Sequence, residues 1–302
     1  MKIINNPKIT LGMPVLNGEK HISFALDSIF KQNFKNFNLI IYDNASTDKT
    51  LLISKGYQQQ HKNIIIYKQI RRVNSIKNWI SVLKKTVSKY ILFCGHDDVF
   101  KEKEYLQNLI NKISSNIIPF PKINIIDDKN YLVNHICNNK FLDFNGPAVY
   151  RRLKFFFTPS IFGKNNFLYG IHETRHLLKS FQILDKIKNF NHNYLDNYLN
   201  YEILKKKKVY QVNNSTFLKR IKNSANKHYI FGFKNNKIKI LLNHVKILLD
   251  YTKFSSFLES IIIILLIPMH VAYERISLFN FKISNLNKKF KKKLLIGVYF
   301  FR

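Results

Sequence analysis

Asn38-Leu39-Ile40-Ile41-Tyr42-Asp43-Asn44-Ala45-Ser46-Thr47-Asp48 is the stretch on which the fold of this 302-residue chain turns. Its apolar run is too short for a helix and rich in β-branched and aromatic side chains, so it reads as a strand buried on both faces. The run empties into a polar loop. There Ser46 or Thr47 offers a cap to a following helix, and Asp48 places a negative charge in its first turn.

The same rhythm extends outward on both sides. Lys8–Met13 reads as a first strand closed by Pro14, and Glu19–Gln32 as a helix whose apolar face is Ile22, Ala25, Leu26, Ile29 and Phe30. Ile64–Lys68 is a third strand, Asn74–Ser88 a helix burying Ile76, Ile80, Val82, Leu83 and Val87, and Tyr90–Cys94 a fourth strand. Strands alternating with amphipathic helices imply a parallel sheet with crossover helices. Parallel strands share a direction, so the loop after Asp43 and the turn Gly95-His96-Asp97-Asp98 fall on one sheet edge, where α/β proteins bind ligands.

The acidic turn carries the sharpest chemical signal. Adjacent carboxylates repel and are hard to desolvate, which a cation relieves. A hard ion such as Mg²⁺ or Mn²⁺ takes oxygen ligands and bridges phosphate oxygens. The plain alternatives are a capping pair for Asp97-Asp98 and a loop aspartate for Asp43. Cys94, ending an apolar strand, reads as a buried thiol, and His96 as a residue that shapes the turn.

The second half is less regular. Lys101–Ser115 reads as a helix, Asn116–Asn145 has no clear pattern, Gly146-Pro147 is a turn, and Phe155–Gly163 an aromatic loop carrying Pro159. Asn193–Lys205 regains helical spacing and Val209–Val212 is a short strand. From about Lys234 apolar residues at helical spacing (Ile238, Leu241, Leu242, Val245, Leu248, Leu249) interleave with lysines. The apolar run Ile261–Ile267 stops at Pro268, short of the ~20 residues a bilayer span needs. Lys288, Lys289 and Lys291–Lys293 follow.

The net charge of +32 arises from 50 Lys+Arg against 18 Asp+Glu. AT-rich coding would raise Lys without selection; a functional excess would attract an anionic membrane surface, a phosphorylated lipid or nucleic acid. The two cysteines, Cys94 and Cys137, make no disulfide framework and no zinc spacing, which fits a reducing cytosol, and Met1–Pro7 has no apolar run of a signal peptide.

Several blocks together resemble the opening of family 2 glycosyltransferases. These are Met13-Pro14-Val15-Leu16-Asn17-Gly18-Glu19, Ala25-Leu26-Asp27-Ser28-Ile29 with Gln32, and Ile40 through Thr50, in the family's order and spacing. Asn78-Trp79 and the His-Asp-Asp turn resemble a bacterial branch. The resemblance implies an α/β GT-A fold with a Rossmann-like, mostly parallel central sheet flanked by helices. The expected division is a catalytic domain over 1–230, with a nucleotide-sugar half (1–100) and an acceptor half (101–230), and a basic, helical C-terminal extension over 231–302. It also implies roles: Asp43 on the nucleoside, Pro14 and Asn17 lining the nucleotide pocket, Asp97 as metal ligand with Asp98 assisting on the diphosphate, and Asp196 as the base of an inverting transfer. Asp185 and Glu173 are rivals for the base. Leu168-Tyr169-Gly170-Ile171 resembles a stretch beneath the sugars.

The chain departs from the family's Asp-x-Asp motif, with Gly95 or His96 where the first aspartate belongs. Arg71, Arg72, Lys219 and Arg220 are able to neutralise a diphosphate, but in so basic a chain each reads as a solvated surface residue. The implied reaction takes a nucleotide-sugar donor, with Mg²⁺ or Mn²⁺, to a saccharide or lipid-linked acceptor of a bacterial surface glycan such as lipopolysaccharide or capsule. Cytoplasmic residence, peripheral on the inner membrane, accompanies that reading. Two other classes remain: a basic nucleic-acid-binding protein, for which no recognition motif is visible, and a nucleotidyltransferase, which would want a Gly-rich phosphate loop where Pro14-Val15-Leu16-Asn17-Gly18 stands.

Overall fold

The computed structural model describes residues 4, 6–135, 138, 142–159, 162–186, 195–220, 245–246, 248–273 and 275–277. Cys137, the residues expected to lead the extension (Ile238, Leu241 and Leu242) and the lysines 288–293 lie outside them.

Strands β1 (Ile9–Val15), β2 (Phe37–Asp43), β3 (Ile64–Lys68), β4 (Tyr90–Phe93) and β7 (Ile171–Glu173) form the main sheet in the order β3-β2-β1-β4-β7. The first four are parallel and β7 runs antiparallel to β4. Helices α1 (Ile22–Phe30), α2 (Thr50–Gln60) and α3 (Ser75–Lys85) make the crossovers. Side chains alternate across the sheet as the period of two demands. Leu11, Leu39, Ile41 and Leu92 enter a core with Ile22, Leu26 and Ile29 of α1, while Ile40, Ile91 and Phe93 enter a second core with Ile76, Ile80 and Leu83 of α3.

Pro14 does not close β1. The Gly12 carbonyl accepts from Cys94 on the β4 side and the Val15 carbonyl from Asn44 on the β2 side. Pro14 therefore turns its nitrogen toward β4, past the last β1–β4 pair at Gly12, so its missing N–H interrupts nothing.

A second sheet is formed by β5 (Val99–Phe100), β8 (Lys208–Arg220) and β6 (Ile117–Ile126) in the order β5-β8-β6; of these only β6 lies in the stretch whose pattern the sequence blurs, and β8 contains the expected strand Val209–Val212. β6 is its edge strand, where Pro119 and Pro121 are tolerated. β8 runs well beyond Val212, because its register on β6 jumps from Pro121–Val212 to Lys122–Thr216, bulging out Asn213, Asn214 and Ser215.

The expected helix over 101–115 contracts to α4 (Tyr105–Ile110). Its first residues are held instead by neighbours: Lys101 N donates to Thr216 O, Thr216 N to the Glu102 carboxylate, and Gln32 Nε2 to Glu102 O. Phe155–Phe157 are not loop but the end of α5 (Ala148–Phe157), with Phe155 and Phe156 fully buried. Val87 lies beyond α3 and is exposed. α6 (Thr174–Lys186) and α7 (Leu195–Ile203) complete the second core. The run Ile261–Ile267 belongs to a longer helix, Phe257–Ser277, which continues through Pro268.

Candidate active site at the carboxyl edge of the sheet

The loops after β1, β2 and β4 meet at one edge and are fastened to one another. Asn17 has a left-handed backbone (φ 51°) that aims its N–H at Ser46 Oγ (3.0 Å) while its Oδ1 accepts from Thr47 N (3.0 Å). Gly18 N donates to Thr50 Oγ1 (2.7 Å), Glu19 N to Asp48 Oδ2 (3.0 Å), and Lys49 N to Glu19 Oε2 (2.8 Å). The expected cap shifts accordingly. Lys49 precedes α2 without a side-chain bond, and Asp48 Oδ1, not Ser46 or Thr47, takes Thr50 N (3.0 Å). Asn44 clamps the loop after β3 through both amide atoms, each 2.9 Å from Val73.

Asp43 is 1% exposed. Its Oδ2 accepts from Ser46 N (3.0 Å), but Oδ1 is buried with no hydrogen-bond partner. A buried acceptor left unsatisfied costs about 1–3 kcal/mol, which a ligand N–H or O–H at that oxygen would recover. Pro14, half-buried, stands beside Tyr42 in the register, and Tyr42 stacks on Tyr67 at 5.4 Å.

The acidic turn explains its own departure from Asp-x-Asp. A Cβ on Gly95 would meet Asp97 Oδ1 at 2.9 Å and Asp98 Oδ2 closer still. Two carboxylate oxygens thus converge over the glycine, a cradle that any side chain would fill. Gly18 likewise yields to the His96 ring, whose Cδ2 lies 2.5 Å from where its Cβ would be, so His96 shapes the turn by packing on the β1 loop.

The two aspartates differ. Asp97 is half-buried. Asp98 is buried, its Oδ1 accepts the Arg220 N–H (2.9 Å), and burial together with the Asp97 charge pushes its carboxyl up to about 7. Among the described residues no group of three His, Cys, Asp or Glu converges to cage a metal. A magnesium-like ion on a diphosphate needs only one or two carboxylates, and the converging pair over Gly95 fits that donor set.

Asp196 stands in the first turn of α7. Solvent reaches it, yet the protein around it pushes its carboxyl above the usual range, with the Lys219 charge opposing that shift. Glu173 pairs with Tyr90 at the amino end of β4, away from the acidic turn, and is held by Lys207 at 3.0 Å. Asp185 is exposed near the end of α6.

Lys219 and Arg220 are not solvated surface residues. Lys219 Nζ lies 4.8 Å from the Tyr169 ring centre, over its face, and its charge is felt by Asp196 and Asp98. Arg220, 5% exposed, donates from Nε to Asp97 O (3.0 Å) and is also bonded to Asp127 O and Asn130 Oδ1. Burial raises the Tyr169 hydroxyl to about 12. Arg71 and Arg72 are exposed, as expected.

The mostly parallel sheet flanked by helices, with two acidic loops at one edge, is an α/β fold of GT-A architecture. The profile of glycosyl transferase family 2 matches residues 10–169, and the chain belongs to that family. It is 34% identical over 135 residues to the minor teichoic acid biosynthesis protein GgaB of Bacillus subtilis, covering 43% of this chain and 15% of that protein. It is 29% identical over 131 residues to the uncharacterized glycosyltransferase RP339 of Rickettsia prowazekii, covering 42% and 40%. The matches thus span well under half the length of these relatives. Among solved structures, S. aureus TarS 1–349 superposes with a TM-score of 0.57 at 17% identity over 88% of each chain, a likeness of fold.

Proposed function

We propose that the chain transfers a sugar from a nucleoside-diphosphate sugar to a hydroxyl of a saccharide or lipid-linked saccharide in bacterial surface glycan synthesis. The observation that carries this reading is the unsatisfied Asp43 Oδ1 on the same sheet edge as the carboxylate cradle over Gly95. The teichoic acid relative and the solved complex of TarS with UDP-GlcNAc support the substrate class.

In this reading Asp43 accepts hydrogen bonds from the nucleoside, and the loop fastened by Asn17 and Asn44 keeps it in place. Pro14 and Asn17 border the nucleotide. Asp97, with Asp98 beside it, would hold Mg²⁺ or Mn²⁺ against the diphosphate, where the ion supplies charge neutralisation for the departing group. Lys219 adds a fixed positive charge between the acidic turn and Asp196. Asp196 takes the proton of the acceptor hydroxyl as that oxygen attacks the anomeric carbon opposite the diphosphate, which inverts the centre; a carboxyl held above its usual range is the stronger base. The same reading assigns the reaction to a catalytic region, 1–230, working at the cytoplasmic surface of a membrane, with residues 231–302 as its basic extension.

Release of nucleoside diphosphate from a panel of donors, with and without Mn²⁺, tests the assignment. Asp97→Ala should lower turnover about 100-fold, and Asp196→Asn should abolish transfer while leaving donor binding unchanged. Turnover indifferent to both substitutions would remove the proposed chemistry from this edge.

A further inference from the structure

The helix Phe257–Ser277 is long and apolar enough to cross a membrane by length and composition. At 1.5 Å per residue it measures about 32 Å, against a hydrocarbon core of about 30 Å. Its surroundings point to another arrangement.

One face is bolted to the second core. Arg152 Nη1 of α5 donates to both carboxylate oxygens of Glu259 (2.6 and 2.7 Å), with both residues buried, and the guanidinium lies 4.1 Å from the Tyr201 ring centre. Ile263, Ile267 and His270 are buried on the same face, His270 with its ring 4.8 Å from that of Phe156. At about 100° per residue these positions fall in one arc. The opposite arc is open and, apart from Arg275 in line with Phe257, apolar: Phe257 (84% exposed), Leu258, Ile264, Leu265 (70%), Met269 and Ile276. Among the described exposed residues of this helix Arg275 is the single charged one. A helix that buries one apolar face against its own domain and presents another to the outside is oriented parallel to whatever receives it.

We propose that Phe257–Ser277 is an in-plane membrane-docking helix, seated in the interface of an anionic bilayer by its Phe257-Leu258-Leu265-Met269 face while Arg152–Glu259 holds it to the catalytic domain. This deepens the membrane-surface placement proposed above by naming the surface and excluding a span. Charge selects the occupant. A chain of net charge +32 is drawn to an anionic surface and repelled by a second copy of itself. An interfacial helix inserts its apolar face only into the headgroup and upper acyl region, which leaves the opposite face free to remain on protein.

The test uses the full chain and vesicles rich in phosphatidylglycerol, and it needs no sugar turnover, so its outcome is separate from that of the transferase assignment. Wild type should cosediment with these vesicles and weakly with pure phosphatidylcholine. Leu265→Glu/Met269→Glu, on the open face, should lower partition roughly tenfold or more with an unchanged circular dichroism spectrum. Spin labels placed singly at 257, 265 and 276 should report similar shallow depths. Partition unaffected by the double substitution, labels at 257 and 276 on opposite sides of the bilayer with 265 deepest, or a dimer dissolved by the double substitution without change in lipid binding would each overturn the proposal.

Discussion

Asp43 and Gly95 account for most of what the site requires. By itself Asp43 reads equally as a plain loop aspartate, and the nucleoside role came from the family resemblance; the buried, unpartnered Oδ1 supports that proposal. Gly95 read as a gap in a motif, whereas the two carboxylates folded over it make a side chain at that position unwelcome. Gly95→Ala is therefore expected to cost about 1–3 kcal/mol by overpacking and to weaken donor binding, measurable as a lower denaturation midpoint together with a higher Kd. Lys219 and Arg220 escaped the sequence reading because one cation among 50 is not distinguished by composition; only the register of β8 against β6 brings them to the acidic turn.

Elements were legible where periodicity was undisturbed. β1 to β4 are short apolar runs, α1 and α3 carry a clean period of 3.6, and β3 falls on the expected residues. β6 was hidden by Pro119 and Pro121, and the distal half of β8 by the Asn213-Asn214-Ser215 bulge. The phenylalanines of α5 mimic a loop because they follow one another directly, although Phe155 and Phe156 both enter the core. Two elements carry predictions of their own. On β7, His172 is buried with Nε2 3.1 Å and 3.2 Å from the carbonyls of Phe167 and Leu168, and burial lowers its pKa to about 4. A histidine depressed in the fold prefers to protonate in the unfolded chain, so its contribution is complete above about pH 6.5 and is lost as pH falls toward 4. Chemical denaturation across that window should show stability falling by an amount on the order of 3 kcal/mol, and His172→Gln should flatten that portion of the profile. On the helix Phe257–Ser277, Glu259→Gln leaves Arg152 without its counter-charge and is expected to cost about 3–5 kcal/mol, read from urea midpoints.

At the scale of the whole molecule, the two cores and the small sheet serve one geometry: loops from β1, β2 and β4 gathered at an edge, with β8 and α7 brought across from the second half. The helix Phe257–Ser277 belongs to that second half through Arg152, although the sequence sets it in a basic tail. Charge alone gave the weakest guidance, since +32 is compatible with a lipid surface, a nucleic acid or a coding bias; only beside the open apolar face of Phe257–Ser277 does it favour the lipid surface. The most direct measurement is calorimetric binding of a panel of nucleoside-diphosphate sugars to wild type and Asp43→Asn. The substitution preserves an acceptor for Ser46 N but removes the carboxylate proposed to receive the nucleoside. The account predicts that at least one donor binds wild type and that Asp43→Asn raises its Kd about tenfold or more at unchanged thermal stability; equal affinity for the two proteins would contradict it.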